Sequence, residues 1–206
     1  MTTTRKIILA SESPRRKELL ARIGVSFDVV PAGIDEKPWP NEAPASYALR
    51  NASDKARAVV RRVDGGCMVI AADTIVVADG KILEKPGDAA HATEMLRMLS
   101  GRWHEVITGV CVLEDGRESG RVVRTGVKFR VLSDVDIDAY VATGEPMDKA
   151  GSYAIQGGAS GFVEQIEGSH SNVVGLPVEV LPGLLHPKSD LSAMARSATA
   201  ENRNPK

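Results

Sequence analysis

The sequence predicts an α/β fold with a mixed sheet flanked by helices, and three observations carry that prediction. In the first half of the chain, short strand-like apolar runs alternate with segments whose apolar residues recur at helical spacing, the pattern of strands joined through helices. From His104 to Leu132 the pattern changes to long strand-like runs joined at Glu114-Asp115-Gly116, which predicts antiparallel neighbours and therefore a mixed sheet. With 206 residues, 43% hydrophobic and 26% charged, the chain can bury a proper core as one large domain or two small lobes.

The first strand is Ile7–Ala10, followed by a helix from about Pro14 to Ile23. Ser13 suits the N-cap, Pro14 suits the first turn, Leu19, Leu20 and Ile23 share helical spacing, and Gly24 ends the element. A short strand, Phe27–Val30, leads into the segment Pro31 to Pro44, rich in proline and acid and carrying Asp35, Glu36, Lys37 and Glu42. Such a long polar loop is of the kind that carries function. The next helix, roughly Ala45–Val63, has Tyr47, Leu49, Ala52, Ala56 and Val59-Val60 as its apolar stripe, with Lys55 inside it.

The apolar strand Cys67–Ala72 is expected to end at Asp73-Thr74, before a second apolar run, Ile75–Ala78. Asp79-Gly80 is a tight turn that places Glu84 and Lys85 just after a hairpin. An amphipathic helix over Ala89–Leu99, closed by Gly101, precedes the two long strands, and a further helix is expected near Val135–Ala142. The glycine-rich stretch Lys149–Gly158 and a last helix opened by Pro177 complete the domain, expected to span 1–186. Residues 187–206 are polar and rich in alanine and serine, and are expected to form a disordered tail.

Composition excludes several classes of function. A formal net charge of −1 argues against a binder of nucleic-acid polymers or of membrane surfaces, which normally carry a basic excess. Met1–Lys6 runs straight into a strand with no apolar stretch long enough for a signal peptide or membrane helix. Cys67 and Cys111 lie in apolar stretches and read as buried free thiols in a reducing, cytoplasmic setting. Neither a Walker A loop nor GxGxxG nor a GxSxG elbow occurs, and the four histidines and two cysteines lack zinc spacing.

The chemistry begins at Leu9-Ala10-Ser11-Glu12-Ser13-Pro14-Arg15-Arg16, where a strand stops and a helix starts. Free N–H groups at that helix terminus favour anions, and Arg15 and Arg16 add planar forks that suit phosphate oxygens, together describing a polyphosphate seat. Asp73 is a candidate general base or metal ligand, with Glu36 and Glu84 as further oxygen donors for Mg²⁺ or Mn²⁺. Lys55 and Lys85, with the arginines, are candidates to hold phosphates; each acid and lysine is alternatively one half of a surface ion pair. His104 and Thr108 either orient a phosphate or water or form a satisfied polar pair.

Six segments resemble the Maf family of nucleotide pyrophosphatases: LASESPRRKELL at 9–20, AADTIVV at 71–77, ILEKP at 82–86, HEVIT at 104–108, AGSYAIQG at 150–157 and NVVGLPVE at 172–179. The resemblance spans almost everything before the tail. It implies an elongated α/β fold, like that of inosine triphosphate pyrophosphatases, with two lobes around a central cleft. It also implies divalent-metal-aided hydrolysis of a nucleoside triphosphate to monophosphate and pyrophosphate, with Asp73 activating water. Arg15, Thr74 and Gln156 fall on specificity positions and resemble the branch acting on dTTP and UTP, whereas the 7-methyl-GTP branch carries Ser-Asp-Gln in place of Ala-Asp-Thr. Ser13, Arg16, Glu36, Lys55 and Lys85 match positions around the phosphates or metal. The implied role is removal of modified pyrimidine nucleotides; the alternative is a nucleotide-binding regulator of septum formation acting through a protein partner. A homodimer is the family expectation.

Overall fold

The computed structural model describes residues 5–63 and 66–185, so the tail expected at 187–206 lies outside the described residues. In chain order the elements are β1 (Lys6–Leu9), α1 (Pro14–Arg22), β2 (Asp28–Val29), α2 (Pro44–Val60), β3 (Cys67–Ala78) and β4 (Lys81–Leu83). They continue with α3 (Ala89–Leu99), β5 (Trp103–Glu114), β6 (Arg117–Phe129), α4 (Asp134–Val141), β7 (Val163–Glu167) and α5 (His170–Val174), with short 3₁₀ segments between α4 and β7 and after α5. No helix of the described residues is long and apolar enough to cross a membrane.

The strands form one seven-stranded mixed sheet in the order β2-β1-β3-β5-β6-β7, with β4 attached to β3. β1 lies parallel to β2 and β3, while β3, β5, β6 and β7 are successive antiparallel neighbours. Asp73 does not end a strand, as its sequence neighbourhood suggested. β3 runs unbroken through it, because Met68–Val77 pair continuously with β5 on one edge and a single polar residue costs that ladder no hydrogen bond.

The other edge of β3 is shared. Cys67–Ile70 pair with β1 and Val76–Ala78 pair with β4, so neither strand covers Ala71–Ile75. The edge is therefore open at Asp73 and Thr74. β7 and α5 were not visible as separate elements in the sequence: VEQIE is short and polar, and α5 is one turn capped by Ser169, which accepts from the Asn172 N–H at 3.1 Å. The last expected helix is a 3₁₀ segment, Val178–Leu184, interrupted by Pro182.

Alternation along β3 assigns its two faces. Met68, Ile70, Ala72 and Val76 enter the large core that also holds Leu20, Leu96, Phe129 and Leu176. Val69 and Ala71 pack under α2 with Ala52, Ala56 and Val59, and Ile75 and Val77 pack under it with Tyr47 and Ala48. Asp73 occupies the α2-facing position between these two apolar groups. The helix comes close there because Ala48, Ala52 and Ala56 are among its buried contacts and because β5 carries Gly109 opposite Asp73. A Cβ at that glycine would lie 2.3 Å from the Ala48 carbonyl oxygen, so a larger residue would push α2 off the sheet.

Capping follows the expected chemistry. Ser13 accepts from the Arg16 N–H at 3.5 Å, Asp88 from the His91 N–H at 2.8 Å, and Ser133 and Asp136 form a reciprocal capping box. Cys67 and Cys111 are buried free thiols, and burial pushes the Cys111 thiol up to about 11.

His104 is buried against Phe129 and Tyr153, with ring centroids 4.9 and 5.4 Å away in edge-on geometry, and its Nε2 hydrogen-bonds the Tyr153 hydroxyl at 2.8 Å. This pairing is with Tyr153 rather than with Thr108. Burial pulls the imidazole pKa down to about 4, so the folded protein holds it neutral while the unfolded chain protonates it near ~6.5. The unfolded state then binds more protons between these values. The neutral imidazole's contribution is complete above the unfolded pKa and declines as pH falls toward 4, by on the order of 3 kcal/mol in all. In urea denaturation, the stability advantage of wild type over His104→Gln is expected to shrink as pH falls from about 7 to about 4.5; a pH-independent difference would show that imidazole protonation is not linked to folding.

Candidate active site

The open edge of β3 forms one wall of a cavity of about 540 Å³, a size typical of small-ligand sites. Asp73 and Thr74 both line it, although adjacent strand residues point to opposite faces. This is possible only where no neighbouring strand covers the edge. The N-terminus of α1 forms a second wall through Ser13, Arg15 and Arg16, the loop after β2 contributes Glu36, and Lys85 follows β4. The Maf-like segments therefore converge although they are distant in sequence.

A charge cluster forms part of the cavity lining, with Asp73 and Lys55 buried and Glu36 on its solvent side. Lys55 Nζ donates to Asp73 Oδ1 and to Glu36 Oε2, both at 2.7 Å, and the Asn51 amide donates to Asp73 Oδ2 at 3.1 Å. Tyr47, Asn51 and Lys55 stand at i, i+4 and i+8 on α2, which brings all three to the face over Asp73. Burial raises the Asp73 pKa, but Lys55, a hydrogen bond from Glu36 and Arg16 outweigh it, so Asp73 lies below the usual carboxylate range. Glu36 moves up, from burial first and then from its contact with Asp73, against the pull of Lys55. The two carboxyls thus differ in role: Asp73 is the ionised member, and Glu36 is the one that more readily holds a proton.

Arg16 is tied rather than free. Its Nε donates to the Gly175 carbonyl at 2.7 Å, Nη2 to Thr74 Oγ1 at 3.0 Å and Nη1 to Ser11 Oγ at 3.3 Å. Burial lowers its pKa, opposed by the nearby Asp73 and Glu36 carboxylates. Thr74 also shares a hydrogen bond of 2.9 Å with Thr108, which donates to the Asn172 carbonyl at 3.1 Å. Thr108 is accordingly part of the wall behind Thr74. Gly175 accepts this traffic with φ 124°, a conformation that glycine adopts without strain.

Ser13, Arg15, Arg16, Glu36, Lys55, Asp73, Thr74 and Lys85 all line the cavity. Glu84 and Gln156 do not: both are exposed, and the neighbouring Tyr153 and Ile155 supply the lining from the glycine-rich segment. Arg15 and Lys85 make no ion pair among the described residues, which leaves them as the cations best able to meet an anionic ligand. Sequence reasoning passed over Asn51 and Gly175. The signal for Asn51 was a polar residue on the buried stripe of α2, one turn before Lys55.

The model of the family described as "Maf-like protein" matches residues 6–187. This chain belongs to the Maf family. A "dTTP/UTP pyrophosphatase" of Anaeromyxobacter dehalogenans (strain 2CP-C) is 53% identical over 184 residues, covering 87% of this chain and 92% of that protein. One of Geobacter sulfurreducens is 57% identical over 175 residues (84% and 91% covered), and one of Escherichia coli O157:H7 is 49% identical over 172 residues (84% and 87% covered). Within the Maf family, the kinship thus lies with proteins of that branch.

The electrostatics of the cluster yield a direct expectation. Removing the Lys55 charge leaves Asp73 and Glu36 facing each other without the cation from which both accept. Lys55→Met is expected to lower the unfolding free energy at neutral pH by about 3 kcal/mol, as for breaking a buried ion pair from one side. Urea denaturation checks this; a loss below about 0.5 kcal/mol, the scale of surface pairs, would show that Lys55 does not hold the two acids together.

Proposed function

We propose that this protein hydrolyses dTTP, UTP and modified pyrimidine triphosphates to the monophosphate and pyrophosphate, clearing the nucleotide pool in a cytoplasmic setting. The observation that carries the reading is the arrangement across the cavity. An ionised, buried Asp73 faces the N-terminus of α1 and the side chains of Arg15 and Lys85, which make no ion pair among the described residues. A triphosphate is the ligand class that needs both a base and several convergent cations.

In this mechanism the triphosphate lies along the α1 N-terminus, where Ser13, the first-turn N–H groups, Arg15 and Lys85 meet its oxygens. Asp73 accepts a proton from the attacking water as its oxygen bonds to the α-phosphorus and the bond to the bridging oxygen breaks, releasing pyrophosphate. Arg16 and Thr74, held by Gly175 and Thr108, keep the adjoining wall rigid, so the electrostatic environment is set before substrate arrives.

Among the described residues no group of three His, Cys, Asp or Glu forms a metal cage. The donor set nonetheless fits Mg²⁺ or Mn²⁺, which are commonly held by one or two carboxylates with substrate phosphates. Asp73 and Glu36, converging on the same positive charge of Lys55, would be the two carboxylates. Bound there, the ion would supply charge neutralisation and a more acidic water. The homodimer implied by the family belongs to the same reading.

The wild-type protein is expected to release pyrophosphate, not orthophosphate, from dTTP and UTP in preference to CTP, GTP, dITP and 7-methyl-GTP with Mg²⁺ or Mn²⁺. Asp73→Asn is expected to lower kcat by about 10²–10⁴-fold while nucleotide binding persists. A well-folded wild type without turnover on this panel would sink the proposal. Gln156, exposed just outside the cavity lining and next in sequence to the lining residue Ile155, is proposed to read the pyrimidine edge from the rim, since its amide both donates and accepts. Gln156→Glu is then expected to raise KM for dTTP and UTP more than it lowers kcat, and unchanged selectivity would remove Gln156 from recognition.

A further inference from the structure

Asp73 must present a particular oxygen lone pair to water, yet it stands on a strand and is held from α2 by two different groups. Lys55 secures Oδ1 as a point charge that tolerates rotation of the carboxylate, because an ammonium offers three equivalent donors. Asn51 secures Oδ2 from a fully buried amide. An asparagine can present either end of its amide, and only the NH₂ end can donate to a carboxylate. The opposite end is fixed by Arg50, whose Nη1 donates to Asn51 Oδ1 at 3.3 Å.

Arg50 is itself immobilised. Its Nε and Nη2 form paired hydrogen bonds of 2.7 Å to Glu42, Nη2 also donates to the Lys37 carbonyl at 2.9 Å, and the guanidinium lies 4.2 Å over the Trp39 ring. A reversed Asn51 amide would set two donors against each other at Arg50 and two acceptors against each other at Asp73. We propose that Asn51 is a positioning residue for Asp73, and that Arg50, anchored in the loop over 37–42, fixes the direction in which the Asn51 amide donates. The 37–42 segment, which follows the cavity-lining Glu36, is thereby linked to the rotation of the reacting carboxylate along a path separate from Lys55.

This inference deepens the proposed hydrolysis and rests on it for its kinetic arm alone. Crystal structures of wild type and Asn51→Leu, solved in the same crystal form, are expected to show the Asp73 carboxylate rotated in the variant about the oxygen that Lys55 retains. Superimposable carboxylates would overturn the proposal whatever the activity. In kinetics with dTTP and Mg²⁺, Asn51→Leu is expected to lose at least about 10-fold in kcat with KM changed less than about twofold, the signature of a misaimed reacting group. Equal changes in both, or none, would overturn it. Asn51→Asp, of nearly the same shape and still able to accept from Arg50, is read in the same two ways should the leucine variant fail to fold: a carboxylate that does not move and an unchanged kcat would refute the role. If wild type turns over no triphosphate, the functional proposal fails, and the crystallographic comparison still decides this one.

Discussion

The gap in the edge of β3 is the constraint on which the site depends. A strand pointing alternate side chains to opposite faces normally buries each in a different layer, and here Asp73 belongs to the α2 layer while Thr74 belongs to the layer of Arg16 and Gly175. Because β1 leaves after Ile70 and β4 arrives only at Val76, both residues reach one cavity. β5 holds the opposite edge through the whole stretch, so the opening costs β3 none of its register.

Charge is distributed around that opening with a consistent logic. Asp73 is buried and would be costly as a lone carboxylate, so Lys55 and Asn51 reach it from one helix and Arg16 supplies further positive potential from another. Those cations are already engaged with protein groups. Arg15 and Lys85, which make no ion pair among the described residues, line the same cavity. Tied cations beside an acid, and untied ones on the same cavity, divide the positive charge here into two sets.

Much of this was legible in the sequence. The helix start at Ser13-Pro14, the hairpin turn at Asp79-Gly80, the helix Ala89–Leu99 and the long antiparallel pair around Asp115-Gly116 rest on local capping, turn chemistry and periodicity, and each appears where those rules put it. The strand break expected at Asp73 did not occur, since pairing with β5 is a property of a partner some 35 residues away, beyond any local pattern. The short elements β7 and α5 escaped for the same reason: VEQIE and HSNVV have weak propensity of their own and are held by β6 and by the Ser169 cap.

By itself the sequence determined which residue types were available and where the chain turns: an anion-favouring helix N-terminus with two arginines, an acid set within an apolar run, and six segments of Maf character. It could not say which charges pair, because pairing depends on distances between segments that only packing sets. Tertiary structure tied Arg16 and Lys55 to protein groups within the cavity wall, left Glu84 and Gln156 exposed outside the cavity lining, and brought in Asn51 and Gly175. The physical reason is the close approach of α2 to β3 and β5 over Gly109, which brings one helical face, Tyr47, Asn51 and Lys55, onto a carboxylate whose surroundings no single segment encodes.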